Sequence, residues 1–146
     1  MPHKNPEQPV KLDLTGLFRF EKRIKDMRPL MRKISQIMLD AVEENFEQQG
    51  RPRWKPLKES TIERRKKQGL WPGKILQARG HLAASVQGEY SKNRAIVLTN
   101  KIYAAIHQFG GLAGRGLKAE IPARPFLALR NDDIREIEKK ISQYFH

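Results

Sequence analysis

The sequence has no cysteine, which excludes disulfides, thiolate nucleophiles and thiolate metal sites at once. It also lacks any run approaching the ~18 consecutive apolar residues that a membrane span needs, so no membrane partner is expected. The opening stretch MPHKNPEQPVKLDLT carries charge but no apolar core of signal-peptide type, and residence in a reducing cytoplasm is therefore expected. Histidine is scarce: His3, His81, His107 and His146 are scattered, with no HxxxH or HExxH spacing to hold a metal. Ser60, Ser85 and Ser142 stand in no nucleophile-elbow pattern. Catalytic residues, metal and cofactor are all expected to be absent, and the chain reads as a non-enzyme.

Acidic residues are also in short supply, 16 against 29 Lys and Arg, for a net charge of +13. The excess is central: residues 51–80 hold ten basic residues against two acidic ones. Such a field favours acidic partners, either nucleic acid or an acidic protein surface, and makes association salt-dependent. The length of 146 residues suits one domain that buries roughly 70% of the surface its unfolded chain exposes. Residues 1–14, with Pro2, Pro6 and Pro9 among polar neighbours, read as an extended arm, and residues 15–146 as a single domain.

From Thr15 a helix is expected, with Thr15 as its cap. Pro29 suits the first turn of the next helix, where Leu30, Met31, Ile34, Ile37, Met38, Ala41, Val42 and Phe46 recur at helical spacing until Gly50. The acids Asp40, Glu43, Glu44 and Glu47 mostly lie on its outer side and read as solvated surface. After Pro52 and Pro56, Ser60 or Thr61 can cap a short basic helix through Lys67, ended by Gly69. The stretch ILQARGHLAASV predicts one or two helical turns with Leu76, Leu82 and Val86 inward. Residues 86–100 read as a β-hairpin around Ser-Lys-Asn-Arg. KIYAAIHQFGG gives a helix-like stripe of Tyr103, Ala104, Ile106 and Phe109, GGLAGRG a mobile loop, and residues 118–121 a strand. Ile134, Ile137, Ile141 and Tyr144 define a terminal amphipathic helix.

Among candidate binding groups, Arg64, Arg65, Lys66 and Lys67 can neutralise phosphates, and Trp54 or Trp71 can stack on bases. The plainer alternative is a solvated or protein-binding face. His107, beside Gln108, reads as a hydrogen-bonded structural residue. The glycines 110, 111, 114 and 116 match no phosphate-loop pattern. In EIPARPFLALRNDD, Pro122 and Pro125 fix their own φ and push the residue before each toward extended geometry. That stiffens residues 121–126, presents Arg124 at a fixed place and buries Phe126, Leu127 and Leu129. Arg124 is expected to make a fixed ion pair or carbonyl contact.

The ordered set FEQQGRPRWKPLKESTIERRKKQG, ILQARGHLAASV, YAAIHQFGG and IPARPFLAL, followed by a terminal helix, resembles the phage virion morphogenesis (tail-completion) family of Mu-like contractile-tailed phages and prophages. The likeness runs from near Arg28 to near Phe145. It is carried by Phe46, Gly50, Trp54, Pro56, Leu57 and Thr61, by Ile75, Leu76, Gly80, Leu82 and Ser85, and by Tyr103, Ala104, His107, Gln108, Phe109 and Gly110 with Pro122 to Leu127. The resemblance implies a structural virion component, made in the host cytoplasm, that completes the tail and sits at the neck for head-tail joining. It implies a homo-oligomeric ring, expected to be a hexamer, in contact with the tail tube or tail terminator and the head connector, with DNA in its lumen. The fold expected is α+β: a long helix and a C-terminal helix packed on one small antiparallel sheet that holds the hairpin and the strand into Pro122.

Overall fold

The computed structural model describes residues 15–146; the arm expected at residues 1–14 lies outside them. Helix α1 spans Thr15–Lys25, the expected helical reading. Only two residues separate it from α2, Arg28–Glu47, with Pro29 in the first turn, where a missing N–H costs nothing. The Arg28 side chain hydrogen-bonds Asp26 across this corner and holds that carboxyl down at about 2. At the other end, Gly50 N–H donates to Asn45 O and Gln49 N–H to Phe46 O, so the chain turns out of the helix through a left-handed Gln49.

Six of the eight apolar residues expected to face inward from α2 are buried: Leu30, Ile34, Ile37, Ala41, Val42 and Phe46. The core continues from Val42 and Phe46 into Trp54, Ile75, Leu82, Ala104 and Phe126. Its aromatic centre is Phe46, whose ring centroid is 5.2 Å from that of Phe126 and 6.0 Å from that of Trp54.

Helix α3 spans Glu59–Lys67. Its N-cap is Lys58, in extended geometry, and Thr61 and Ile62 already donate to the Lys58 carbonyl. Ser60 and Thr61, expected as caps, therefore lie inside the first turn. Gly69, at φ +73°, ends the helix as expected, with Gly69 N–H on Lys66 O and Leu70 N–H on Arg65 O. One short helix, α4 (His81–Ser85), precedes the hairpin of β1 (Gln87–Tyr90) and β2 (Ala95–Leu98).

The fold is α+β, but two points differ from the sequence reading. The strands form two separate sheets: β1 pairs only with β2, and β4 (Ala119–Ile121) pairs with β3 (Gly111–Ala113). The glycine stretch read as a loop thus supplies β3 and a 3-10 turn at Arg115–Leu117, after α5 (Ala104–Phe109). Glycine can open this second hairpin because Gly110 and Gly111 take positive φ values of 72° and 145°. The second difference concerns α6, Asn131–Phe145, which lies along α2, the helix that also carries β1 and β2. No α6 residue is buried, and Ile134 and Ile141 keep 41% and 38% of their surface. Leu129, expected in the core, is 39% exposed. The α6 helix packs on other helices instead of on a sheet: it runs along α2, and Phe145 meets Phe20 of α1 with ring centroids 5.4 Å apart.

Candidate interaction site at the proline-bracketed segment

Residues 122–128 form no strand, so their backbone polar groups need partners from elsewhere. Side chains supply most of them. Arg124 N–H donates to His107 O at 2.7 Å. Trp54 Nε1 donates to Pro125 O at 3.0 Å. Gln108 Oε1 accepts from both Phe126 N–H (3.1 Å) and Leu127 N–H (2.9 Å), while its Nε2 donates to Leu127 O at 3.1 Å. Asn45 Nδ2 donates to Phe126 O at 2.7 Å and Ala128 O at 3.0 Å. The prolines remove two N–H groups that would otherwise need acceptors, and Phe126, fully buried, anchors the segment.

Arg124 is 6% exposed and donates to two carbonyls: Nε to Lys55 O at 2.9 Å and Nη2 to Pro56 O at 3.0 Å. The carbonyl contact expected for it is thus made within the subunit, across the loop that carries Trp54. Burial, and then the charge of Arg65, lower the Arg124 pKa from its ordinary value. Burial, and then the charge of Arg124, likewise lower that of His107, whose Nδ1 is buried with no hydrogen-bond partner among the described residues. The structure therefore brings Arg65, His107 and Arg124 together around a cavity of about 480 Å³, walled by Leu57, Ile75 and Pro122 among others.

The RRKK run is divided by the helix it forms. Arg65 turns inward, with Nη1 on Lys74 O at 2.9 Å and Nη2 on Ile75 O at 2.6 Å, whereas Arg64, Lys66 and Lys67 stay exposed. Lys66 meets Glu63 at 3.3 Å. Trp71 is half-buried in the loop after α3, while Trp54, at 6% exposure, is a core residue whose ring packs on Phe46. That leaves the Trp54 ring no free face for a base.

Sequence reasoning missed the support beneath this segment. Asn45 is 1% exposed, and Arg51 Nε donates to its Oδ1 at 2.7 Å. Arg51 Nη2 reaches Asp133 at 3.0 Å, and Asp133 also accepts the Arg130 N–H that opens α6. The signal was present for Asn45: it lies four residues after Ala41 and three after Val42, on the apolar stripe of α2. A polar residue there must find a buried partner.

Among the described residues no group of His, Asp and Glu is placed to hold a metal ion, and no helix is long and apolar enough to cross a membrane. The molecule is a small basic α+β domain with a side-chain-tethered extended segment beside an arginine-lined recess. The chain matches the phage virion morphogenesis family over residues 7–146 and belongs to it. It is 50% identical over 117 residues to the Mu-like prophage FluMu G protein 2 of Haemophilus influenzae, covering 80% of this chain and 77% of that one. It is 35% identical over 115 residues to the putative capsid assembly protein G of Escherichia phage Mu, covering 75% and 74%. The Mu-like prophage FluMu G protein 1 of Haemophilus influenzae is 32% identical over 121 residues, with 80% and 77% covered. No solved structure matches the chain. Its role is thus structural or assembly work in phage morphogenesis.

Proposed function

We propose that this protein is a non-enzymatic virion component that completes the phage tail and joins copies of itself in a ring at the neck, where tail and head meet. The family and the Mu relative named for capsid assembly support a place in particle assembly. The observation that carries self-association is a set of apolar side chains left outside the core between residues 102 and 117. Ile102 is 98% exposed, Phe109 77%, Leu112 58% and Leu117 61%. Single exposed apolar residues are ordinary, but these four and Tyr103, five large ones in sixteen positions, suit a surface that neighbours cover. Among the described residues each sheet has two strands, so each also offers unpaired edges. Six-fold symmetry would match a tail tube, with the tail terminator and head connector as the flanking partners. Native mass spectrometry of the purified protein, alone and mixed with tails, tests this: a defined ring that joins tails is expected. A strict monomer that never joins them would overturn it.

A second reading, a basic DNA-binding module, is favoured by the exposure of Arg64, Lys66 and Lys67 on α3. It predicts duplex affinity that falls steeply with salt and is lost when these three are neutralised. The two readings coexist if DNA passes through the ring.

A further inference from the structure

We propose that the cavity beside the proline-bracketed segment is a docking recess for an acidic polypeptide: an extended, partly apolar segment of a partner protein whose Asp or Glu carboxylate seats between Arg65 and Arg124, next to His107. Two well-buried arginines differ in their partners. The Arg51 side chain, 8% exposed, is paired with Asp133 at 3.0 Å. Arg65 and Arg124 border one cavity and have carbonyls alone. Among the described residues neither is within ion-pair distance of a carboxylate, and neither Arg124 Nη1 nor Arg65 Nε has a hydrogen-bond acceptor. The one acid at the rim, Glu120, is exposed. Carbonyl dipoles orient the two guanidinium groups but carry no countercharge, and Arg124, which is buried, is a charge of the kind that is otherwise paired.

The shape of the recess selects the ligand. At about 480 Å³ it has room for a few side chains, and Leu57, Ile75, Leu76, Ile121 and Pro122 make its walls apolar. A ligand that uses both features carries a carboxylate on an apolar body, which an extended peptide does and a DNA backbone does not. The remaining nitrogens, Arg124 Nη1 and Arg65 Nε, can each donate a charge-assisted hydrogen bond to a carboxylate, and Arg124 is held in place by Lys55 and Pro56 before anything binds. The buried Nδ1 of His107 supplies a third polar position. Seven of the twelve exposed acids among the described residues lie on α2 and α6. A helix about 10 Å across cannot enter such a recess, so the acids of α2 and α6 in a second copy do not fit it. Neither ring symmetry nor placement at the neck is required.

The test uses the full chain and two blocked tripeptides, acetyl-Leu-Glu-Leu-amide and acetyl-Leu-Gln-Leu-amide, with inorganic phosphate and a duplex oligonucleotide as separate arms. The His107 ring nitrogens are followed by NMR. The Glu peptide is expected to bind saturably, at least tenfold more tightly than the Gln peptide, and to raise the His107 pKa, because a nearby anion favours the imidazolium. Arg124→Gln should abolish both effects. Because that variant also loses carbonyl contacts, Ala119→Trp serves as a second one: Ala119 is an exposed residue of the rim, and a ring there blocks the recess without touching either arginine. It should keep the ligand-free His107 titration and lose the peptide. Equal binding of the two peptides would overturn the proposal, as would an equal response to phosphate or duplex. Self-association lost in both variants would assign the recess to a second copy and overturn the choice of partner.

Discussion

Asn45 Nδ2 donates to Phe126 O at 2.7 Å, a contact between residues 81 positions apart that fixes the proline-bracketed segment to the long helix. The same amide holds Ala128 O and accepts from Arg51. Asn45→Ala leaves two carbonyls and one guanidinium N–H without partners, at about 2–4 kcal/mol in total. For a domain of this size the midpoint of thermal unfolding should fall by roughly 6–12 °C. A loss below about 1 kcal/mol in urea unfolding would mean that water replaces the amide.

Gln108 does for the N–H groups of residues 126 and 127 what a neighbouring strand would do, and no strand is there to take over. Gln108→Ala is expected to cost about 2–4 kcal/mol, because two backbone donors lose their acceptor together. Gln48→Ala, at the exposed C-cap of α2, should stay within about 0.5 kcal/mol. Equal effects in parallel denaturation curves would show that the segment holds itself without Gln108.

Much of this architecture was readable along the chain and much was not, for one physical reason. Periodicity reports a face, so the α2 stripe from Leu30 to Phe46 and the hairpin around residues 91–94 were legible. Glycine and proline report backbone geometry, so Gly50, Gly69 and the stiff approach to Arg124 were legible too. Neither reports which distant element a polar side chain meets. The Asn45–Arg51–Asp133 chain and the inward turn of Arg65 are products of long-range packing. The short helix also divided a charge run that looks uniform on the page: Arg65 caps carbonyls while Arg64, Lys66 and Lys67 face water. The β3–β4 pairing was hidden because a three-residue strand of Gly, Leu and Ala has none of the β-branched enrichment that marks strands.

At Gly50 a side chain has nowhere to go. An added Cβ would lie 2.6 Å from Pro52 O and from the Trp54 ring, on a backbone with φ +101°. Gly50→Ala should therefore destabilise by about 2–5 kcal/mol, from overpacking and backbone strain together. Gly16, in α1, has nothing within 4 Å of such a Cβ, and Gly16→Ala should be neutral or stabilise by up to ~1 kcal/mol. Matched chemical denaturation of the two variants checks the contrast, and similar values for both would refute the packing argument.

His107 gives the fold a sensitivity to mild acid. Burial first, and the Arg124 charge second, lower its pKa from 6.5, so the folded protein keeps the ring neutral at a pH where the unfolded chain already binds a proton. The unfolded state then holds more protons, and stability rises with pH across that interval. Equivalently, the contribution is fully present above about 6.5 and is lost as pH falls from there toward the lower folded value. Urea midpoints measured from pH 7.5 down to 5 should decline, and His107→Gln should flatten the decline because it cannot take the proton. The Arg124 guanidinium does not titrate in this range, so it deepens the effect without adding a step. A pH profile unchanged by His107→Gln would show that the imidazole accepts its proton in the folded state as readily as in the unfolded one.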